Sequence, residues 1–156
     1  MNVNEYIEHF LIKEIGELVG SYPFQAFTLM AIGIEFLGKC LDESKWDNRN
    51  KSSNDFKTAI EKLDSLVKYK NIDNLYDKLR CGLAHLGIPK IGIALSSDKN
   101  YLDANPIILG CKDFYDDFKL ACVEIINDSK SQVKKKMDED YVSISESVTS
   151  STVSNQ

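Results

Sequence analysis

Apolar residues recur every three or four positions over most of this chain, which is the spacing of helices with one buried face. The first helix is predicted over residues 3–20. Its inward stripe comprises Ile7, Leu11, Ile15 and Leu18. Gly20 and Pro23 mark the turn that follows it.

The second helix is predicted from Pro23, a residue that suits the first turn of a helix, to about Leu41. It is apolar nearly all the way round, so we expect it to be the central, buried helix. No uninterrupted apolar run reaches the roughly 18 residues that span a bilayer, so we expect no membrane contact.

Two further helices are predicted between residues 53 and 86. Ser53 or Asn54 is the expected cap of the third helix. The fourth begins near Ile72, and Gly87 and Pro89 are expected to stop it. The inward stripe of the third helix comprises Phe56, Ile60, Leu63 and Val67.

Two short apolar runs, residues 91–95 and 106–109, predict a small β-hairpin. The last helix is predicted from Asp113 into the 130s. Its inward side chains are Phe114, Phe118, Ala121, Cys122 and Ile125. The predicted fold class is therefore mainly α, a bundle of about five helices with the hairpin (residues 91–109) before the last one. We expect residues 1–136 to form this helical domain, and residues 137–156, rich in Ser and Thr, to be a disordered tail.

The net charge of −5 is unevenly distributed. Residues 137–156 contain four acids and no base, which leaves −1 on residues 1–136, and this argues neither for nor against nucleic acid. The four cysteines form no C-x-x-C pair and there are only two histidines, so we expect buried thiols, no metal and no cofactor. The N-terminus carries acid where a secretory signal would carry base, which favours a cytoplasmic protein.

Residues 79–85 read Leu-Arg-Cys-Gly-Leu-Ala-His, and this segment carries the candidate chemistry. Arg80 and His85 stand out from an otherwise apolar helix face, and Gly82 and Ala84 are small enough to let another helix or a substrate backbone come close. The segment resembles the Arg-x(4–6)-His signature of the HEPN superfamily, helical domains found in many RNases of toxin–antitoxin, abortive-infection and CRISPR systems. The position is also similar, because the signature lies late in a bundle and precedes one more long helix.

The resemblance implies metal-independent RNA cleavage, in which the ribose 2′-hydroxyl attacks the adjacent phosphate. His85 is then the acid or base, because histidine titrates near neutral pH. Arg80 is the phosphate clamp, because a guanidinium forms two parallel hydrogen bonds with a phosphate. RNA and an antitoxin or other protein are the implied partners.

A second interpretation is a catalytically silent HEPN-like module that dimerises or binds a partner protein. Many active members have Asn, Asp or His directly after the arginine, where this chain has Cys81, and this favours the silent module. A helical scaffold unrelated to the superfamily is a third interpretation.

On an ideal α-helix, five residues turn through about 500°, so Arg80 and His85 would lie roughly 140° apart. They would not share a face unless Gly82, or the helix end near Gly87, bends the backbone. The resemblance implies another solution, in which two protomers bring their motifs together and the cleft between them is the site. We therefore expect a homodimer.

Glu35 is a lone carboxylate in the apolar second helix, and a buried carboxylate is costly unless it is paired. One hypothesis is that Glu35 contacts Arg80 or His85 and orients that side chain for catalysis. The other is that it pairs with Lys39, one turn later.

Structural roles are the alternative for the motif itself. Arg80 would then pair with Asp73 or Asp77, and His85 would hydrogen-bond a carbonyl inside the bundle. The lysines and tyrosines before the motif form either a small RNA-binding patch with stacking rings or a solvated face. They are Lys68, Tyr69, Lys70, Tyr76 and Lys78.

Overall fold

The computed structural model describes residues 2–44, 46 and 50–127. Five helices and two short strands form its framework, which confirms the mainly α fold class. The predicted extension of the last helix into the 130s lies outside the described residues, and so does the predicted tail at residues 137–156.

Helix α1 covers residues 3–19 without a break. Its ends, Val3–Tyr6 and Ile15–Val19, are α-helical, and Ile7–Glu14 between them is π-helical. Asn2 and Glu5 cap its start reciprocally, because the side chain of each accepts a hydrogen bond from the backbone amide of the other at 2.9 Å.

The buried stripe of α1 advances by four residues at every step. Its members are Val3, Ile7, Leu11, Ile15 and Val19. An α-helix has 3.6 residues per turn, whereas hydrogen bonds that close five residues apart widen the turn. The stripe therefore ends on Val19, while the predicted Leu18 is only partly buried.

Helix α2, Pro23–Leu41, has the predicted bounds and is the central helix, packed against α1 and the helices that follow. By length and composition it is apolar enough to cross a bilayer, with a mean hydropathy of 1.4 over 18 residues. Polar residues interrupt its apolar positions, so it contains no uninterrupted apolar run of spanning length. Of that window 56% is buried inside the protein.

Helix α3 is Ser52–Lys62. The predicted caps, Ser53 and Asn54, lie inside its first turn, so that prediction is wrong, and no side-chain hydrogen bond caps the helix. Helix α3 packs closely on α2, because the two backbones meet at Gly38. A Cβ at Gly38 would overlap the carbonyl group of Asp55, so only glycine fits there.

Helix α3 ends at Lys62, earlier than the apolar stripe predicted. Val67, the last residue of that stripe, is exposed and begins a short 3-10 helix, Val67–Tyr69. The turn before it is fixed by Glu124, whose carboxylate accepts hydrogen bonds from the amides of Asp64 and Ser65 at 2.9 and 3.0 Å.

Helix α4, Tyr76–Leu86, is π-helical and begins later than the predicted start near Ile72. It ends at Gly87, as the sequence predicted. The φ of Gly87 is 73°, in the left-handed region where only glycine is free of steric cost.

Strands β1, Ile93–Ser96, and β2, Ile107–Gly110, lie within the two predicted apolar runs and their immediate borders. They pair in parallel, with Ile93 opposite Ile107, and not in the antiparallel manner of the expected hairpin. The reason is the link at residues 97–106, which returns the chain to the starting edge of β1 before β2 begins. Within this link, Tyr101 forms an antiparallel bridge with Ile108.

Helix α5 begins at Cys111, directly after β2, and is described as far as Asn127. All five side chains predicted to face inward from this helix are buried. Its aromatic residue Phe114 contacts the rings of Phe27 and Tyr69, with centroid distances of 5.6 and 5.0 Å.

Buried Tyr69 joins the 3-10 helix, the link between the strands and α5. Its hydroxyl donates to Asp117 Oδ2 at 2.5 Å and accepts from Asn100 Nδ2 at 2.7 Å. Asp117 Oδ1 accepts from Lys68 Nζ at 2.8 Å, and Asn100 Oδ1 accepts from the Gly110 amide at 2.8 Å. Burial, together with the hydrogen bond to Asp117, raises the pKa of Tyr69 far above its ordinary value, so the hydroxyl stays protonated.

Tyr69→Phe should lower the free energy of unfolding by about 1–3 kcal/mol, because it leaves the buried oxygen and amide groups of Asp117 and Asn100 short of a partner. Urea denaturation with an unchanged slope would measure this loss. Tyr22→Phe is the matched control, because Tyr22 is 57% exposed, and its effect should stay within about 0.5 kcal/mol. Equal losses in the two variants would contradict the proposed contribution of the network.

Candidate functional site

Arg80 on α4 and Glu35 on α2 form an ion pair where the two helices pack. Arg80 Nε donates to Glu35 Oε2 at 2.8 Å, and the side chains are 19% and 20% exposed. Of the two hypotheses for Glu35, contact with the motif is thus observed. Lys39, the other suggested partner, lies 3.9 Å from Asp55 in a buried pair between α2 and α3.

The pair leaves the outer edge of the guanidinium open. A guanidinium carries five N–H donors, and Glu35 uses the one on Nε. The Nη groups form no hydrogen bond or ion pair with any described residue. The ring centroid of Tyr76 lies 5.8 Å from Arg80 Cζ, within cation–π range, and Phe56 packs edge-on against Tyr76 at 5.5 Å. Arg80 is thus held at Nε, and its Nη groups are neither bonded to the described residues nor completely buried.

The structural alternative for Arg80 is not observed. Asp73 accepts a hydrogen bond from Lys78 at 3.1 Å, and Asp77 accepts one from Lys90 at 2.7 Å. Both acids therefore have a lysine, and not Arg80, as their partner.

His85 is exposed near the end of α4. It has no hydrogen bond or ion pair with residues 2–44, 46 or 50–127, so the expected alternative, a bond to a carbonyl inside the bundle, is absent there. Its side chain is therefore open to solvent.

The turns of α4 are wider than the sequence analysis assumed. Its buried stripe comprises Leu75, Leu79 and Leu83, which again step by four. At four residues per turn, Arg80 and His85 lie about a quarter turn, or about 90°, apart, not 140°. In the π-helical part of α1, His9 and Glu14, also five apart, form an ion pair of 3.5 Å. Arg80 and His85 therefore occupy adjoining faces without a bend in the helix.

Gly82 does not make room for a substrate or another helix, contrary to the expectation. A Cβ at this position would lie 2.7 Å from the carbonyl oxygen of Ile88 and 2.9 Å from the amide nitrogen of Lys90. The Lys90 amide also donates to the carbonyl oxygen of Lys78 at 2.8 Å. The chain's own segment after Gly87 thus fills this side of α4.

Cys81 occupies the position at which the sequence departs from many active HEPN domains. Burial, and next to it the neighbouring Cys81 side chain, raise the pKa of Tyr76 above its ordinary value. Cys81 is thus close to the ring that packs against Arg80. The other three cysteines are buried free thiols, as predicted.

The suggested patch of lysines and tyrosines is not assembled. Lys68 is paired with Asp117, Lys78 is paired with Asp73, and Tyr69 is fully buried. Of the five residues, Lys70 and Tyr76 are the two that neither form these ion pairs nor are fully buried. Sequence spacing did not reveal this, because the partner of Lys68 lies 49 residues further along the chain.

Lys70 and Tyr76 instead line a cavity of about 430 Å³ between α3 and the segment leading into α4. Lys57, Asn71 and Asn74 also line it, and the sequence analysis did not single them out. No local motif marks these residues, because the cavity arises only when residues 69–77 pack on α3. No group of three or more His, Cys, Asp or Glu side chains within the described residues is placed to hold a metal ion.

Gly82→Ala should destabilise the protein by about 1–3 kcal/mol, because the new methyl group meets backbone atoms that cannot rotate away. Gly20→Ala is the matched control, since nothing lies within 4 Å of a Cβ there, and we expect no loss. Thermal or urea unfolding would measure both. A Gly82→Ala protein as stable as the control would show that the segment after Gly87 is not packed against α4.

No protein-family model matches this chain, and neither a curated protein nor a solved structure matches it.

Proposed function

We propose that this protein is a HEPN-like, metal-independent endoribonuclease that acts through Arg80 and His85. The observation that carries the proposal is an arginine fixed at Nε by Glu35, with its outer donors free, beside an exposed histidine on the adjoining helix face. The resemblance of the motif supports a role in a bacterial defence or toxin–antitoxin system.

In the proposed reaction the ribose 2′-oxygen attacks the adjacent phosphorus, and the bond to the 5′-oxygen breaks. The 2′-hydroxyl proton goes to a base, the leaving oxygen receives a proton from an acid, and the products are a 2′,3′-cyclic phosphate and a 5′-hydroxyl. The Nη groups of Arg80 bind the phosphate oxygens as negative charge accumulates on them. His85 carries one of the two proton transfers.

A homodimer would supply the second proton-transfer group. Each protomer has one histidine in the motif, and the other histidine, His9, lies on α1 in a pair with Glu14. Two motifs facing each other would provide one His85 as base and the partner copy's equivalent as acid. Exposed apolar side chains directly after the motif support such an interface; they are Leu86, Ile88 and Ile91, which are 62%, 59% and 97% exposed.

The same three side chains favour the second candidate, a catalytically silent HEPN-like module that dimerises or binds another protein. Cys81 favours it too, because many active HEPN domains have Asn, Asp or His at this position. The two candidates differ in whether the dimer cleaves RNA.

In an assay of single-stranded RNA with EDTA present, the wild type should produce fragments ending in a 2′,3′-cyclic phosphate. His85→Ala should lower kcat/KM about 10²- to 10⁴-fold, and Arg80→Ala about 10²- to 10³-fold. His9→Ala is the matched control and should retain full activity, because His9 lies on α1, apart from the motif. Sedimentation of each variant would establish that it remains folded and dimeric.

Intact RNA after incubation with a folded dimeric wild type would overturn the enzyme and leave the silent module. Cleavage that survives both motif substitutions would assign the activity to another site or to a contaminant.

Glu35 is proposed as a positioning residue, which never touches the phosphate. Glu35→Gln keeps an oxygen that can accept from Arg80 Nε, so we expect a loss of kcat about tenfold smaller than in Glu35→Ala. The KM for RNA should rise in both variants, because Arg80 is no longer held. Equal effects of the two substitutions, with unchanged KM, would contradict this role.

A further inference from the structure

The cavity between α3 and residues 69–77 has an apolar floor and a polar rim. Phe56, Ile60, Ile72 and Leu75 form the floor and are at least nine-tenths buried. The rim consists of exposed or partly exposed side chains, namely Ser53, Lys57, Glu61, Lys70, Asn71, Asp73, Asn74 and Asp77. Its volume of about 430 Å³ falls in the range of small-ligand sites.

Six of the eight rim side chains are unpaired within the described residues. The other two are acids in surface ion pairs, Asp73 with Lys78 and Asp77 with Lys90. Two ammonium groups, two carboxamides, a hydroxyl and a carboxylate are therefore free above an apolar surface.

The cavity is continuous with the motif through a single side chain. Tyr76 forms part of the cavity wall, and its ring also lies 5.8 Å from Arg80 Cζ. The Tyr76 ring thus lies between the cavity and the guanidinium.

We propose that this cavity binds one nucleotide unit, with the base on the apolar floor and its phosphate at Lys57 and Lys70. The carboxamides of Asn71 and Asn74 each offer a donor and an acceptor to the edge of the base. A nucleotide fits because it combines a flat apolar ring, polar edges and a dianionic or strand-linked phosphate. The proposal rests on the proposed function, since the nucleotide would be the one beside the scissile phosphate.

The test uses the full chain and a fluorescent single-stranded hexaribonucleotide with 2′-O-methyl riboses, which cannot be cleaved because the attacking hydroxyl is blocked. Lys57→Ala and Lys70→Ala should each weaken its binding about three- to tenfold. Each should also reduce the slope of log K against log salt concentration by about 0.7, the share of one phosphate contact. Lys62→Ala is the matched control, an exposed lysine of α3 outside the cavity, and should change affinity less than about twofold.

The four ribonucleoside 5′-monophosphates distinguish a free nucleotide from a unit of a strand. Displacement of the probe with a Kd of about 1 mM or tighter would support a site for free nucleotides. Displacement only by oligonucleotides, with the same lysine dependence, would support a strand unit. In either case Asn71→Ala should change the preference among bases.

Equal affinities and salt slopes for Lys57→Ala, Lys70→Ala and Lys62→Ala would overturn the cavity assignment, whatever the outcome of the cleavage assay. If the wild type does not cleave RNA but binding depends on Lys57 and Lys70, the cavity assignment stands and the proposed enzyme fails. The two proposals are thus separable.

Discussion

A carboxylate on the most apolar helix of the chain must be paired, and the pairing of Glu35 with Arg80 determines how the motif is presented. Leaving either charge unpaired in the packing of α2 on α4 would be costly, since removal of one partner of a buried pair typically costs several kcal/mol. The pair therefore constrains α4 on α2 and the direction of the guanidinium together. Tyr76 packs on the guanidinium that this pair holds, and its ring also forms part of the cavity wall.

Features of the fold that depend on local chemistry were predictable from the sequence. Pro23 marked the start of α2 because its fixed φ suits a first turn, and Gly87 marked the end of α4 because its backbone is left-handed. Helix pitch and strand pairing were not predictable. The stripe ending on Val19 follows from π-helical turns, and the parallel pairing of β1 and β2 depends on bonds from Asn100 to residues distant in the chain.

Some features of the candidate site were likewise predictable from the sequence and others were not. Glu35 was recognisable as a charge in an apolar stretch, and its contact with Arg80 followed from the need for a partner. The separation of about 140° predicted for Arg80 and His85 is too large, because α4 has a π-helical and not an α-helical pitch. The predicted lysine patch does not form, because Lys68 binds Asp117, which lies on a helix far along the sequence. Local spacing could not reveal that contact. The cavity has no signature in the sequence, since its walls come from two segments that meet only in the folded state.

The close approach at Gly82 has a consequence for the surface beside the motif. The segment after Gly87 is bonded to α4 through the backbone of Lys90 and through its ammonium group, which binds Asp77 at 2.7 Å. The exposed Ile88 and Ile91 therefore project from a backbone that is ordered before any partner arrives. Association usually costs free energy because loops and side chains lose freedom, and a backbone already bonded to α4 would have less freedom to lose. Gly82, itself buried, thus determines the shape of a surface to which it contributes almost no atoms.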